Sequence, residues 1–163
     1  MMKQVGYIAA CCVGLLAAPS HAAVIGALVD GQVVQLLAKE GDQVKKGQLL
    51  LEVDARAQQA IVAQLKARLK LAELELKDAK IDFEAEKALY DQSATAKRRF
   101  DLVQLVNDRA AARVDVLRGE LAEALAKLDY FMIKAPFDAK ISKVHVRLGD
   151  TVFHEHQRLI ELE

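Results

Sequence analysis

The sequence has few of the residues that build a large core or a disulfide framework. It has no tryptophan, and its aromatic residues make up only 5% of its 163 positions. Because aromatic side chains supply much of the buried area of large cores, any compact domain here must be small and aliphatic. Both cysteines, Cys11 and Cys12, lie within the first 22 residues. If that segment is removed, the remaining chain has no disulfide and no cysteine-ligated metal.

An excess of one charge sign is also missing. The sequence has 23 basic and 23 acidic residues, and removing Lys3 with the first 22 residues leaves 22 basic and 23 acidic, a net charge of about −1. A nucleic-acid partner would require a clear basic excess, so we exclude one. The dense, mixed charge is typical of exposed helical surfaces.

No apolar run approaches the roughly 20 residues that a membrane-spanning helix needs. The run from Val5 to Leu16 follows Lys3 and precedes Ser20-His21-Ala22, which supplies small residues for signal peptidase. This pattern predicts a signal peptide over residues 1–22 and export of the rest. A membrane anchor is the alternative. Ile8-Ala9-Ala10-Cys11 is similar to a lipoprotein cleavage box, so lipidation of Cys11 stays open.

Glycine is scarce, and its placement reveals an internal repeat. Gly41-Asp42, two residues before Val44, is repeated as Gly149-Asp150, two residues before Val152. The flanking β patterns align with one inserted residue, and such a repeat indicates the architecture more strongly than local propensity does. We predict that residues 23–54 and 130–163 are two halves of one flattened β-sandwich. Neither half buries enough apolar surface alone. The predicted core residues are Val33, Leu36, Val44, Leu49, Leu51, Ile141, Val144, Val146, Val152, Leu159 and Leu162.

Residues 55–129, between the halves, have the composition of a long helical hairpin. Strong helix formers without glycine or proline fill the first arm, for which Asp54 is the predicted N-cap. A polar break at 91–95 follows, where Ser93 or Thr95 is expected to start a second helix over about 96–129. Arms of equal length predict an antiparallel coiled coil. The alternative is that both helices fold back on the β-sandwich.

The predicted seam of the coiled coil comprises Val62, Leu65, Leu69, Ala72, Leu76, Ala79, Phe83 and Tyr90, facing Phe100, Val103, Asn107, Ala110, Val114, Leu117, Leu121, Ala124 and Leu128.

A second apolar stripe lies opposite this seam, where a solitary coiled coil should be polar. Its large members are Leu74, Ile81 and Leu105, and small residues continue it at the same seven-residue spacing. Large exposed apolar surfaces usually mark interfaces, so we predict that hairpins pack sideways in a homo-oligomer. The alternative is that alanine is present there only as a good helix former.

Three stretches together carry a family resemblance: 41–49, 128–138 and 149–152. Each half resembles half of a biotinyl/lipoyl carrier domain. A lipoyl-like domain split by a helical hairpin resembles the HlyD-type membrane-fusion proteins. The implied fold is α+β, a split lipoyl-like β-sandwich with an inserted two-helix coiled coil. The implied function is that of a periplasmic adaptor in a bacterial efflux or secretion pump, assembled side by side between an inner-membrane transporter and an outer-membrane tunnel.

The resemblance also indicates partner-binding residues at the hairpin tip, namely Leu89, Gln92, Ser93 and Thr95. Drug-efflux adaptors carry an Arg, a Leu and a Ser there. Leu89 matches the Leu, whereas Ala85 and Ala96 occupy the other two positions, with Lys87 and Thr95 close by. Members of the family usually continue into a β-barrel and a membrane-proximal domain, neither of which follows Glu163 in this sequence. We therefore expect a minimal adaptor, which could reach the transporter through a longer adaptor.

The sequence offers no convincing site for catalysis or for a cofactor. A carrier domain attaches its cofactor to a lysine in the turn that the hairpin replaces here, and Lys134 has the pattern of an ordinary strand residue. His154 and His156 could ligate a metal, but two loop ligands without a third are more typical of a solvated turn. We predict no enzyme and no cofactor. The rival hypotheses are a carrier or ligand-binding module with the hairpin as a spacer, and a truncated adaptor remnant.

Overall fold

The computed structural model describes residues 22–154 and 157–163. Of the predicted signal peptide, only Ala22 is within this part; the remainder, with Cys11, lies outside it, as does His156. The described residues form eight short strands and two long helices, with the helices between the fourth and fifth strands along the chain. They are β1 (Ala23–Gly26), β2 (Gly31–Leu36), β3 (Gln43–Val44), β4 (Leu49–Val53), α1 (Arg56–Asp91), α2 (Lys97–Asp129), β5 (Met132–Lys134), β6 (Ala139–Val144), β7 (Thr151–Val152) and β8 (Arg158–Leu162).

The strands form two four-stranded antiparallel sheets, which confirms the predicted sandwich. One sheet has the order β1-β8-β6-β3, and the other has the order β5-β4-β2-β7. The two orders are equivalent under the sequence repeat, since β2, β3 and β4 correspond to β6, β7 and β8. The halves also exchange strands. Strand β3 of the first half pairs with β6 of the second, and β7 of the second half pairs with β2 of the first.

The two glycine-aspartate turns bond reciprocally to the opposite half. Gly41 donates its N–H to the carbonyl of Ile141 (2.8 Å), and Ile141 donates to Asp42 (2.9 Å). In the same way Gly149 donates to Val33 (2.9 Å), and Val33 donates to Asp150 (2.9 Å). Both glycines have φ near +90°, a conformation that side chains disfavour. Each half therefore lacks backbone partners without the other, and the two must fold as one unit.

The aliphatic core of this β module is as expected and somewhat larger. All predicted core residues are buried or half-buried, and Leu50, Val53, Ile133 and Ile160 join them. Pro136 lies in the loop between β5 and β6.

The helices form the predicted antiparallel hairpin. Almost every predicted seam position is buried or half-buried, and Tyr90, at the distal end, is exposed but stacks on Phe100. Apart from the junction of α2 with β5, neither helix packs on a strand, so the folded-back arrangement is wrong. Cross-helix ion pairs between Glu75 and Arg113 (3.1 Å) and between Glu73 and Arg118 (3.3 Å) lie along the hairpin. Such exposed pairs add little stability, but they are consistent with only one register.

Both predicted helix caps are wrong by one position or more. Ala55 is the N-cap of α1, and the Asp54 carboxylate instead accepts the Arg56 N–H at 3.0 Å. Ala96 is the N-cap of α2, without a side-chain cap, because neither Ser93 nor Thr95 is placed to serve. The Thr95 hydroxyl bonds to a different group, as described below.

Candidate functional site

The hairpin tip is a tight turn with a defined backbone geometry. Ser93 donates its N–H to the carbonyl of Tyr90 (2.9 Å), and Ala94 donates to Leu89 (2.8 Å). This pair of bonds is a Schellman motif, which normally places glycine in the left-handed position. Here Ser93 occupies it with φ of 56°, and it is the only non-glycine residue with positive φ in the part of the chain that the structure describes. The tip is therefore ordered at a local energetic cost.

Replacing Ser93 by glycine is expected to stabilise the hairpin by roughly 0.5–1 kcal/mol. Glycine adopts the left-handed conformation without strain, although it also gains freedom in the unfolded chain. Thermal unfolding monitored by circular dichroism should show a rise of a few degrees. The matched control, Ala94→Gly, has no positive φ to relieve and should lower the melting temperature. Equal effects of the two variants would contradict the assigned turn.

The structure separates the four predicted tip residues into two groups. Leu89, Gln92 and Ser93 are exposed around the turn. Thr95 is half-buried, and its hydroxyl donates to Glu86 Oε1 at 2.5 Å. The exposed surface that can contact a partner is therefore centred on Leu89, Gln92 and Ser93, whereas Thr95 is engaged inside the hairpin.

Glu86 is a residue that the sequence reasoning missed. It is 5% exposed and is the only buried polar or charged residue among those described. Its Oε2 accepts a bond from Arg99 Nε at 3.0 Å, so the carboxylate joins the end of α1 to the turn and to the start of α2. Its position was available in the sequence, because it continues the seven-residue spacing of Leu65, Ala72 and Ala79.

The predicted sideways-packing residues are exposed on the hairpin surface. Leu74 is 56% exposed, Ile81 58% and Leu105 45%. Further large apolar side chains that the stripe did not include are also exposed on the two helices; they are Ile61, Leu71, Leu102, Val106, Val116 and Leu125. The apolar surface of the hairpin is therefore broader than the stripe.

At the base of the hairpin, an ion pair joins Asp54, which follows β4, to Arg56, the first residue of α1. Arg56 Nε lies 2.9 Å and 3.0 Å from the two carboxylate oxygens of Asp54. Hydrogen bonds from the Arg56 side chain, and then from its backbone N–H, lower the pKa of Asp54 from 3.8 to about 2. The carboxylate thus stays charged where the chain passes from the β module into the hairpin.

This lowered pKa predicts a small pH-dependent contribution to stability. Because the pKa is lower in the folded state, the contribution is present above about pH 4 and is lost as the pH falls through about 2. Asp54→Asn should lower the melting temperature slightly at pH 7, and this difference should shrink toward pH 2. Arg56→Gln should have the same effect, and combining the two should add nothing. A pH-independent difference would contradict the assignment.

His154 has a structural partner. His154 Nδ1 lies 2.8 Å from Asp30 Oδ1. The pKa of the Asp30 carboxyl is lowered, chiefly by a hydrogen bond from the His154 backbone N–H. Across residues 22–154 and 157–163, no group of three or more His, Cys, Asp or Glu side chains could hold a metal ion. No helix in the same residues is long and apolar enough to cross a membrane.

Comparisons with known proteins match this architecture. The model of the family described as RND MFP, barrel-sandwich hybrid domain, matches residues 21–160. The multidrug resistance protein MdtA of Klebsiella pneumoniae is 28% identical over 124 residues, covering 76% of this chain and 30% of that protein. MdtA of Photorhabdus laumondii is 27% identical over 133 residues, covering 82% and 33%. The chain spans about a third of the length of these relatives.

Two solved structures extend the comparison. MacA from Actinobacillus actinomycetemcomitans aligns with a TM-score of 0.57 at 26% identity, over 86% of this chain and 48% of that one. ZneB from Cupriavidus metallidurans aligns with a TM-score of 0.62 at 19% identity, over 88% and 61%, and shares the fold. The family match covers both β halves and the hairpin between them. This chain therefore belongs to the RND membrane-fusion protein family, whose barrel-sandwich hybrid domain it carries with a helical hairpin inserted.

Proposed function

We propose that this chain is a periplasmic adaptor subunit of a bacterial efflux or secretion pump. It is exported by its signal peptide and assembles side by side with copies of itself. It links an inner-membrane transporter, directly or through a longer adaptor, to an outer-membrane tunnel. The observation that carries this proposal is the ordered tip, exposed at the far end of a hairpin that contacts the β module only at its base.

The length of the hairpin supports a bridging role. Helix α1 has 36 residues, which corresponds to about 54 Å at 1.5 Å per residue. The buried seam holds the two helices together as one stiff arm. A stiff arm of this length holds the tip at a fixed distance from the β module, as a spacer between two membrane proteins requires.

The distribution of charge supports side-by-side assembly of hairpins. The base half of α1, residues 56–70, has four basic and no acidic residues, whereas its distal half, 71–91, has seven acidic and three basic. Helix α2 runs back from the tip, so its charges have the opposite order from base to tip. Its distal half, residues 97–113, has five basic and two acidic residues, and its base half, 114–129, has two basic and four acidic. Two hairpins pointing the same way therefore attract when α1 of one faces α2 of the next, and repel when like helices meet.

The tip supports a contact that differs from that of drug-efflux adaptors. Of the three positions that those adaptors use, Leu89 supplies the exposed apolar side chain, whereas Ala85 and Ala96 offer no charge or hydroxyl. We infer that Leu89, Gln92 and Ser93, with the backbone of the turn, make the contact. Leu89 supplies apolar area and Gln92 supplies hydrogen bonds.

In-cell photocrosslinking from Ser93 tests this proposal. With a photoreactive amino acid at Ser93, an outer-membrane tunnel protein should be captured and identified by mass spectrometry. The matched control carries the same amino acid at Ala67, an exposed position near the hairpin base, where copies of this chain should be captured instead. Failure of the tip to capture any outer-membrane channel protein, or equal capture from both positions, would contradict the proposal.

A further inference from the structure

We infer that Glu86 is a positioning residue that fixes the geometry of the hairpin tip for docking and does not serve the stability of the hairpin. This inference rests on the proposed function, because it concerns the surface that meets the tunnel protein. It follows from where Glu86 lies, what it bonds and what the turn lacks.

Glu86 occupies a position that the coiled coil reserves for apolar side chains. The three preceding positions of the same seam are Leu65, Ala72 and Ala79, and all are buried. A carboxylate in such a position loses its hydration, and replacing a buried ion pair with well-packed apolar residues is often neutral or stabilising. Burial alone therefore does not account for a glutamate here.

Glu86, which precedes the turn, accepts hydrogen bonds from two residues that follow it. Thr95, the last residue but one before α2, donates through its hydroxyl, and Arg99 in the first turn of α2 donates through Nε. These bonds are directional, so they require one position of α2 relative to the end of α1. A polar group at one seam position is the best-attested way in which coiled coils select a single register.

The turn is held by its two Schellman bonds and by an ion pair between Lys87 and Asp91 (2.8 Å), none of which involves α2. It contains no glycine or proline over residues 91–95, and Ser93 is in a strained conformation. Tyr90 does reach α2 and stacks on Phe100 with ring centroids 4.8 Å apart, but a stacked pair can slide without a large penalty. A leucine at position 86 would fill the seam while tolerating several arrangements of the turn. The Glu86 carboxylate tolerates only one arrangement of the turn, and so the orientation of Leu89, Gln92 and Ser93 depends on this carboxylate.

Hydrogen exchange of the tip amides tests the inference without any partner. Glu86→Leu should leave the melting temperature unchanged or raise it, while exchange of the Ser93 and Ala94 amides accelerates about tenfold. Glu86→Gln keeps an acceptor oxygen for Thr95 and should accelerate exchange less. The control, Glu84→Leu, changes an exposed glutamate of the same helix and should leave tip exchange unaltered. A lower melting temperature with unchanged tip exchange would mean that Glu86 only stabilises the hairpin, and would overturn the inference.

Crosslinking separates this inference from the proposed function. If the protein with Glu86 intact is crosslinked to the tunnel protein through position 93, then Glu86→Leu should reduce that crosslinking several-fold at equal protein level. Undiminished capture would overturn the positioning role and leave the adaptor function standing. If the unmodified protein captures no tunnel protein, the proposed function fails, and the exchange measurement alone still decides whether Glu86 fixes the tip.

Discussion

Replacing Ile141 by alanine is expected to lower the free energy of unfolding by about 2–5 kcal/mol, the range for truncating a buried isoleucine. Ile141 is completely buried, and its backbone bonds to the Gly41-Asp42 turn of the other half. Because small domains are stable by only about 5–15 kcal/mol, this is a large fraction of the total. Urea denaturation of the protein from Ala23 onward measures the effect.

The repeat supplies a matched variant for this experiment. Val33 is the counterpart of Ile141 in the first half, is 1% exposed and bonds to the Gly149-Asp150 turn. Val33→Ala should cost roughly 2 kcal/mol, since fewer methyl groups are removed. Val24→Ala, at an exposed position, should cost little. Both core variants should unfold the two halves of the β module in one transition. An Ile141→Ala protein whose first half stays folded would contradict the interlocked arrangement.

Introducing Asp at both Leu74 and Ile81 is expected to dissociate side-by-side oligomers into monomers. Burying a Leu or Ile side chain at an interface contributes about 1.5–3 kcal/mol. Losing both therefore weakens association by about two to four orders of magnitude. Sedimentation velocity across a concentration series measures the change.

The control for this variant adds the same charge elsewhere on the helix. Ala63→Asp with Gln64→Asp changes two exposed positions outside the stripe and near the hairpin base. These charges weaken the attraction to the acidic base half of the neighbouring α2, but no large apolar side chain is lost, so association should weaken much less than in the stripe variant. An unchanged oligomer in the Leu74→Asp, Ile81→Asp protein, or equal dissociation in the control, would show that the stripe does not mediate assembly.

The sequence predicted the architecture because the same pattern occurs twice. The aligned Gly-Asp turns identified the two halves, and the seven-residue spacing identified the hairpin between them. The exchange of β3 and β7 between the halves was beyond this reasoning. Two similar half patterns are equally compatible with each turn bonding to strands of its own half or to strands of the other half. The bonds of Val33 and Ile141 to the opposite turns, together with the pairing of β3 with β6 and of β7 with β2, distinguish the two arrangements.

The tip shows where local reasoning stopped. The predicted row of seam residues Leu65, Ala72 and Ala79 is apolar, and so it does not include Glu86 one heptad later. Ser93 and Thr95 have side chains that commonly cap helices, which favours a capping role for either one. In the structure Ser93 closes the Schellman turn, and Thr95 bonds to a carboxylate nine residues earlier. These roles depend on the partner that the folded hairpin brings close, and no local pattern contains that partner.

The account depends on a stiff arm that projects from the two interlocked β halves and carries the docking tip. Small-angle X-ray scattering of the monomeric Leu74→Asp, Ile81→Asp protein measures this directly. A compact domain of this length has a radius of gyration of roughly 14 Å. With the arm extended by about 54 Å, the value should lie well above 20 Å, and the distance distribution should have a long tail. A value near 14 Å with a symmetric distribution would contradict the projecting arm and the adaptor function built on it.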